Sequence, residues 1–161
     1  MGAVYRGRAG VVGEGGSRGC AFKVALADRS GDGVPESVIQ AGVLKTVAAF
    51  LNTDGGTLAI GIEDSGSVLG IERDFELKHL DRDGYENMLS TVIMEKIDKL
   101  AVHRCKLRFE EIDGSTVCLV DVLRAPTPVY AKLEKGKEKF FVRVGNTTRE
   151  YETKEAVAYI K

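Results

Sequence analysis

The sequence of 161 residues is 29% charged and 43% hydrophobic, with a formal net charge of −1. A chain of this kind is expected to form one domain with a substantial core, and it has no apolar run near the length of about 18 residues that spans a membrane. Its three widely spaced cysteines lack a CxxC pair, which argues against a zinc site or a disulfide framework, and no secretory signal pattern is present, so a cytoplasmic protein is expected.

Charge is distributed unevenly along the chain. Residues 1–35 carry a net charge of +2, residues 36–123 one of −7 and residues 124–161 one of +4. The basic ends can contact phosphates, although the whole lacks the strongly basic profile of a DNA-packaging protein. Residues 1–19 are rich in Gly and Arg and offer few side chains to bury, so we predict a flexible segment there and one domain over residues 20–161.

The first part of the domain is predicted to be a long helix between two strands. A short strand spans residues 20–26, and Pro35 suits the first position of a helix, where its missing N–H costs nothing. Apolar residues then recur at helical spacing as far as residue 51 and predict one buried helix face. The segment NTDGG, residues 52–56, separates this helix from an uncharged strand over 57–62, which is expected to be buried on both sides.

The NTDGG segment is interpreted as a structural turn that includes Asn52, Gly55 and Gly56. The two glycines permit the positive φ angles that a tight helix-to-strand reversal often requires. A phosphate-binding loop is the alternative, but the GxxxxGK[ST] spacing is lacking, and the segment follows a helix where a P-loop would follow a strand. A mixed role stays open, in which backbone N–H groups of the turn face a site.

The remaining segments complete a mixed α+β pattern. Asp113-Gly114 is the strongest hairpin signal, and a second amphipathic helix is expected to be capped by Asp81 or Asp83. In chain order, the predicted segments are a return strand at 68–71, a polar connection at 72–83, a helix at 85–100, strands at 105–110, 117–122 and 129–133, a charged loop at 134–139, a last strand at 140–144 and a closing helix at 153–160.

Two widely separated motifs resemble one family. The first runs from AFLNTDGGTL (49–58) through IGIED (60–64) to VLGI (68–71), and the second is FFVRVGNTTR (140–149). Together they resemble the AlbA-like domain of the Schlafen family, of the AlbA_2 type, over most of residues 20–161. The resemblance implies an α+β, AlbA-like fold in which a mixed β-sheet packs with two main helices and a short C-terminal helix. It also implies a DNA- or RNA-binding domain, commonly in a transcriptional regulator, that often forms homodimers.

The resemblance raises the question of nuclease activity, because some Schlafen members are ribonucleases that use three carboxylates. The aspartate at the end of the strand after the glycine turn corresponds to Asp64. The segment on the first strand matches at Phe22-Lys23, but its two glutamate positions fall on Gly16 and Ala21. Of the three family carboxylates, this sequence therefore keeps only the one at Asp64, which weakens the nuclease interpretation.

Glu63 and Asp64 are nevertheless the candidate catalytic residues, and Asp64 is the candidate metal ligand. Phosphodiester cleavage of this type needs several converging carboxylates to hold Mg²⁺ or Mn²⁺ on the scissile phosphate, and Glu14 is the nearby acid that a shifted alignment would bring in. The alternative is a solvated turn, in which an Asp side chain accepts backbone hydrogen bonds. No other cofactor is implied.

The second motif supplies the best candidates for contacts with nucleic acid. Two guanidiniums with hydroxyl and amide donors nearby suit phosphate oxygens, which accept charge-assisted hydrogen bonds. Arg143 stands between two valines and is expected to project from the polar face of its strand. The candidate nucleic-acid-binding residues are Lys23, Lys132, Lys135, Lys137, Lys139, Arg143, Asn146, Thr147, Thr148 and Arg149. The alternatives are a salt bridge from Arg149 to Glu63 or Asp64, and a lysine loop that is only a soluble turn.

Three hypotheses about function follow. The first is a regulatory domain that binds DNA or RNA mainly through phosphate contacts and lacks most of the family's nuclease carboxylates. The second is a metal-dependent endoribonuclease with a degenerate site. The third is a module that senses ATP or another nucleotide, or binds another protein.

Overall fold

The computed structural model describes residues 16–17, 19–23 and 36–160, with the side chains of residues 16, 17, 22, 23 and 36–39 left outside the description. Most of the predicted flexible segment 1–19 therefore lies outside the described residues, as do Glu14, Pro35, the Lys23 side chain and residues 24–26 of the predicted first strand.

Within the described residues the chain forms eight strands, four α-helices and a 3₁₀ turn. In chain order these are β1 Gly16–Ser17, β2 Cys20–Lys23, α1 Glu36–Leu51, β3 Gly56–Ile60, α2 Glu72–Lys78, α3 Arg82–Lys96, the 3₁₀ turn Ala101–Arg104, β4 Cys105–Ile112, β5 Ser115–Val122, β6 Ala131–Glu134, β7 Lys137–Val144, β8 Thr147–Tyr151 and α4 Thr153–Ile160. The α+β class predicted from the sequence is confirmed. The strands form two sheets, however, where the sequence predicted one mixed sheet.

The larger sheet has the strand order β1-β2-β3-β5-β4. Strands β2 and β3 are parallel, with Cys20 opposite Thr57 and Lys23 opposite Ile60, and the other pairs are antiparallel. A parallel pair needs a crossover connection, and α1 lies on the chain between these two strands. Strand β3 is therefore a central strand that begins at the NTDGG turn, as the sequence predicted.

Helix α1 lies in the main core of the molecule and touches both sheets. Its residues cluster with Leu58 of β3 and with Phe141 of β7. From Val43 to Leu51 every residue except Lys45 is buried, so the predicted single buried face is wrong for this half of the helix. A helix that is buried around most of its circumference is typical of one packed between other elements.

The smaller sheet, β6-β7-β8, has apolar contacts on both faces of β7. Phe141 belongs to the main core with α1, whereas Phe140 and Val142 form a separate cluster with Ala156 of α4. Successive residues of a strand point to opposite faces, so this alternation places α1 on one side of β7 and α4 on the other. The smaller sheet is thus a layer between two helices.

The local signals at turns and caps are confirmed. Asp81 caps α3 by accepting a hydrogen bond from the Gly84 N–H at 2.8 Å. Asp113 and Gly114 have φ angles of 53° and 82°, and they join β4 to β5 as a hairpin. Both features depend on a few neighbouring residues, which is why the sequence predicts them well.

Four of the described elements were missed, namely β1, α2, the 3₁₀ turn and β8, and one predicted strand is reduced to a bridge. Helix α2 occupies part of the predicted polar connection, and it buries Asp74, whose carboxylate accepts a hydrogen bond from the Tyr85 hydroxyl at 3.3 Å. Strand β8 follows the turn at Gly145, where the sequence predicted only a turn region. The predicted return strand at 68–71 forms only an isolated bridge between Val68 and Ile62.

Candidate nucleic-acid interface

Asn52, the first residue of the NTDGG turn, ties the end of α1 to the smaller sheet. Its side-chain amide donates hydrogen bonds to the carbonyl oxygens of Val129 and Phe141, both at 2.9 Å, and its Oδ1 accepts one from the Val129 N–H at 2.8 Å. The Asn52 carbonyl also accepts a hydrogen bond from the Tyr159 hydroxyl of α4 at 3.0 Å. Asn52 is buried, so these bonds hold four segments together where water does not compete.

Gly55 and Gly56 lie where the chain passes too close to its neighbours for a side chain. A Cβ on Gly55, which has a φ of 74°, would be 2.5 Å from the Val122 carbonyl oxygen. A Cβ on Gly56 would be 2.5 Å from the Phe50 ring. The geometry of the turn therefore requires glycine for packing as well as for backbone conformation.

Arg143 lies beside this turn, and its orientation corrects the sequence prediction. Its guanidinium stacks over the Phe50 ring, with 5.2 Å from Cζ to the ring centroid. It shares the face of β7 that carries Phe141, so it points toward α1 and not from a polar face. The prediction is wrong because both faces of β7 are covered, and alternation of apolar residues then does not distinguish inside from outside.

Fixed contacts hold the Arg143 guanidinium. Nη1 donates to the Thr148 hydroxyl at 3.1 Å and Nη2 to the Cys20 carbonyl at 3.4 Å, while the backbone N–H donates to the Thr53 hydroxyl at 2.9 Å. Nε is buried and has no hydrogen-bond partner in the described structure. Among the described residues no carboxylate forms a salt bridge with Arg143. Its charge is therefore held in place without an acidic partner from this part of the chain.

The electrostatics of Arg143 follow from this partial burial. Burial lowers the pKa of the guanidinium from its ordinary value, and the neighbouring Cys20 thiol partly offsets the effect. Burial likewise raises the pKa of Cys20 to about 11, and Arg143 opposes that rise. Cys20 is therefore a neutral thiol near neutral pH and does not compensate the charge of Arg143.

Arg143 forms one wall of an open cleft of about 290 Å³. The other lining residues come from the start of β2 and the glycine turn, and they are Gly19, Thr53, Asp54, Gly55 and Gly56. Asp54 reduces the positive character of the cleft, although Arg124 approaches its carboxylate at 4.0 Å. An arginine without an acidic partner in the described structure, facing an open cleft, suits an anionic ligand.

The structure separates the two arginines of the second motif. Thr148 lies directly opposite Arg143 across the β7–β8 pair, so these two share a face, as their hydrogen bond shows. Arg149 lies opposite Val142 and therefore belongs to the other face, on the side of α4. Arg149 is exposed, and no described carboxylate forms a salt bridge with it, so the anticipated bridge to Glu63 or Asp64 is absent from the described structure.

The other residues of this motif lie at the β7–β8 turn. Asn146 and Thr147 are exposed, and the Thr147 hydroxyl donates a hydrogen bond to the Val144 carbonyl at 2.9 Å. Thr148 belongs with Arg143, as described above. The motif is thus divided, because Arg143 lines the cleft and is bonded to Thr148, whereas Asn146, Thr147 and Arg149 are not among the lining residues.

The predicted lysine loop is a hairpin between β6 and β7, with its turn at Lys135 and Gly136. Most of its lysines have acidic neighbours. The pairs are Lys132 with Glu138 at 3.8 Å, Lys137 with Glu134 at 3.3 Å, and Lys139 with Glu134 at 3.9 Å and Glu150 at 3.6 Å. Because exposed pairs of this kind are weak, the lysines can still exchange these partners for phosphates. Lys135 at the tip has no salt bridge to a described carboxylate.

Glu63 and Asp64 occupy an exposed tight turn beyond the far end of β3. The Glu63 N–H donates to the Ser67 carbonyl at 3.0 Å, and the Gly66 N–H donates to the Glu63 carbonyl at 2.8 Å. Arg143 contacts β2 near the start of β3, so the two places are separated by at least the length of that strand, roughly 10 Å or more at about 3.3 Å per residue. Neither carboxylate forms a salt bridge with a described residue, and their catalytic and metal roles stay predictions.

The two positions that correspond to the family's glutamates lie opposite each other. Gly16 pairs with Ala21 across the β1–β2 hairpin, and Ala21 is buried in the main core beside Leu58. In the described part of the chain no group of three or more His, Cys, Asp or Glu side chains could hold a metal ion. Glu14 lies outside the described residues, and Lys23 is known only by its backbone, at the end of β2 that pairs with Ile60.

Several residues near the cleft have no recognisable signal in the sequence. Arg104, Arg124 and Tyr159 line a groove of about 540 Å³ together with Asn52, the first residue of the NTDGG turn. These residues come from the 3₁₀ turn, the segment after β5 and α4, which are distant in the chain. Only the tertiary structure brings them together.

Fold and site together define a two-sheet α+β domain with an arginine-lined cleft beside a glycine turn. The family model for Schlafen, AlbA_2 matches residues 21–152, and the chain belongs to this family. No curated protein matched the chain.

Two solved structures have a similar fold. The DIP2311 protein of Corynebacterium diphtheriae is 24% identical with a TM-score of 0.63, and the match covers 88% of this chain and 23% of that one. The N-terminal domain of a protein of Nitrosomonas europaea, described as related to the ATP-dependent DNA helicase RecG, is 23% identical with a TM-score of 0.50, and the match covers 79% of this chain and 78% of that one. At these identities the likeness shows the fold alone. In the described residues no helix is long and apolar enough to cross a membrane.

Proposed function

We propose that this domain binds nucleic acid mainly through phosphate contacts, with Arg143 at the cleft as its principal anchor and the β6–β7 hairpin as a second point of contact. The observation that carries the proposal is the state of the Arg143 guanidinium. It is partly desolvated, it has a buried Nε without a partner in the described structure, and no described carboxylate compensates it. Each Nη nitrogen carries two N–H groups and donates one hydrogen bond in the described structure, to Thr148 and to Cys20, so the remaining Nη donors are the candidates for binding an anion.

The fixed orientation of the guanidinium suits a phosphate ligand. Thr148 and the Cys20 carbonyl orient the guanidinium, and the Phe50 ring supports its flat face. A positioned guanidinium donates charge-assisted hydrogen bonds to phosphate oxygens. Contacts with the phosphate backbone position a nucleic acid without reading its sequence, so little sequence specificity is expected.

The family context supports the same proposal. The described relation of the Nitrosomonas protein to a DNA helicase is consistent with a role at nucleic acid. We extend the proposal to a regulatory role in the cytoplasm, with DNA or RNA as partner, and to a homodimer as the form that binds. The lysines at positions 132, 135, 137 and 139 would then add affinity from the hairpin.

The test is a salt titration of binding to short DNA and RNA duplexes and single strands, followed by fluorescence anisotropy. The observed affinity is expected to fall steeply with salt, with a slope of about −0.9 per phosphate neutralised on duplex DNA and about −0.7 on single strands. Arg143→Met keeps an unbranched apolar stem on Phe50 and removes the charge. It is therefore expected to lower the affinity by about 10-fold or more. The slope of log affinity against log salt is expected to decrease in magnitude by the value of about one phosphate contact.

The matched control is Arg73→Ala. Arg73 lies on α2 and makes only an exposed contact with Glu76 at 4.0 Å, so its removal changes the net charge equally without touching the cleft. Arg143→Met removes the buried Nε that has no partner and also the bonds donated to Thr148 and Cys20, so thermal melting of each variant accompanies the binding measurements. Undetectable binding at low salt, or equal losses in the two variants, would overturn the proposal.

A further inference from the structure

We infer that the groove behind the NTDGG turn, which we call the Tyr159 groove, holds an unpaired base of a single strand whose backbone is bound at the Arg143 cleft. This inference rests on the proposed function and names the kind of nucleic acid that it concerns. The groove has a volume of about 540 Å³, within the range of about 300–1,000 Å³ that is usual for small-ligand sites. Its walls include Arg104, Arg124, Pro126, Pro128 and Tyr159.

The Tyr159 ring is a fixed aromatic surface at this groove. Its hydroxyl is bound to the Asn52 carbonyl at 3.0 Å, and its ring packs against Phe140 and Tyr151 with centroid distances of 6.0 and 5.8 Å. The residue is still 42% exposed, and its neighbour Ile160 is 45% exposed. A ring that is held at one end and exposed on the other side can stack on a base without a large loss of conformational freedom.

The charges at the groove suit the phosphates on either side of that base. Arg124 has a side chain that is 67% exposed, and its contact with Asp54 at 4.0 Å is at the limit of a salt bridge. No salt bridge joins Arg104 to any carboxylate in the described structure. An aromatic ring combined with guanidiniums is the usual composition of a surface that binds single strands.

The groove and the cleft are lined by adjacent residues of the same short turn. Asn52 lines the groove, and Thr53 and Asp54 line the cleft, so the two depressions adjoin within two residues of backbone, or about 7 Å. Asp54 of the cleft and Arg124 of the groove also approach each other at 4.0 Å. A strand held by Arg143 therefore has the groove next to it, and the base that enters must be unpaired.

The chain has no tryptophan, which allows a direct test. In Tyr159→Trp the introduced indole is the only one in the protein, and stacking on a base quenches its fluorescence. Titration with an unstructured single strand, of DNA and of RNA, is expected to quench it with the same midpoint that anisotropy reports. A blunt duplex is expected to bind, as anisotropy reports, but to quench the indole by at most about a third as much as the single strand does. Leu77→Trp, which places the reporter at an exposed position of α2, the helix that also carries the control residue Arg73, is expected to stay unquenched.

Two further variants separate stacking from folding. Tyr159→Ala is expected to lower the affinity for single strands by at least about fivefold, while the affinity for duplex changes less than twofold. Tyr159→Phe keeps the ring and loses the bond to Asn52, so its affinity is expected to stay within twofold of the wild type even where thermal melting shows a lower stability.

The outcomes distinguish this inference from the proposed function. If both probes bind by anisotropy but the indole of Tyr159→Trp is not quenched, or Tyr159→Ala weakens duplex and single strand alike, the groove inference is wrong and the proposed function stands. If neither probe binds, the proposed function fails and the inference fails with it. If a poly-glutamate peptide quenches the same indole as strongly as the oligonucleotide does, the groove accepts acidic peptides and not bases, which also overturns the inference.

Discussion

Asn52→Ala is the substitution that best tests how the NTDGG turn holds the two sheets together. The change would leave the Val129 and Phe141 carbonyls and the Val129 N–H without their side-chain partner. A buried group left unpaired costs about 1–3 kcal/mol, and a satisfied hydrogen bond contributes about 1 kcal/mol net. Three such groups, partly relieved by relaxation and water, give an expected loss of about 3–5 kcal/mol, a large share of the roughly 5–15 kcal/mol typical of a domain.

The measurement is urea unfolding followed by far-ultraviolet circular dichroism, which does not depend on tryptophan. The midpoint is expected to fall while the slope stays constant, since the surface exposed on unfolding hardly changes. Asn87→Ala is the control, because Asn87 is exposed on α3 and its replacement is expected to change stability by less than about 0.5 kcal/mol.

A second variant shows whether the hydrogen-bond donors matter or only the volume. Asn52→Asp keeps the shape and the acceptor for the Val129 N–H, but it replaces two donated bonds by a carboxylate oxygen that faces two carbonyls. Its loss is expected to match or exceed that of Asn52→Ala at pH 7. A loss below about 1 kcal/mol in either Asn52 variant, or one equal to that of Asn87→Ala, would refute the reasoning.

Three further predictions use the same structure. Gly55→Ala is expected to cost at least about 2 kcal/mol more than Gly145→Ala, because both have positive φ but only Gly55 lies against the Val122 carbonyl; equal losses in urea unfolding would contradict this. Asp54→Asn is expected to raise affinity for a phosphate polymer about two- to fivefold at low salt, and no change by anisotropy would place Asp54 outside the interface. Burial raises the pKa of Cys118 to about 12, so the folded thiol keeps its proton after the unfolded one has lost it, and the free energy of unfolding falls as pH rises from about 8.5 toward 12. Cys118→Ala is expected to reduce the slope of unfolding free energy against pH by about 1.4 kcal/mol per pH unit. An unchanged slope would exclude this cause.

Local signals in the sequence predicted the elements whose structure depends on nearby residues. Helix α1, the glycine turn and the Asp113-Gly114 hairpin each have apolar spacing or special backbone residues that act over a few positions. Helix α2 was missed because its buried residue, Asp74, is charged and makes the segment look polar. Strand β8 was missed because it is an edge strand of mostly polar residues, so alternation hardly shows.

The candidate site was predictable in composition but not in arrangement. The second motif contains Arg143 and Arg149, yet nothing in its sequence says that one faces α1 and the other the side of α4. The face on which each arginine lies depends on how α1 and α4 cover the smaller sheet, and this packing is part of the tertiary structure. The Tyr159 groove is built from three distant segments, and no spacing in the chain marks it. Sequence reasoning therefore proposed a group of candidate binding residues, and the structure divides this group among different surfaces.

In the turn at residues 52–56, Asn52 bonds the smaller sheet and its neighbour Thr53 contacts Arg143. Asn52 uses its side-chain amide and its carbonyl within the fold, and the close packing of Gly55 and Gly56 leaves no freedom there. The Thr53 hydroxyl accepts a hydrogen bond from the Arg143 backbone N–H at 2.9 Å, which fixes the backbone of Arg143 to this turn. Among the described side chains, Arg143 alone keeps a buried donor without a partner. A rigid frame around one incompletely bonded cation costs stability but leaves that cation oriented before a ligand arrives, which is the arrangement that favours binding with little reorganisation.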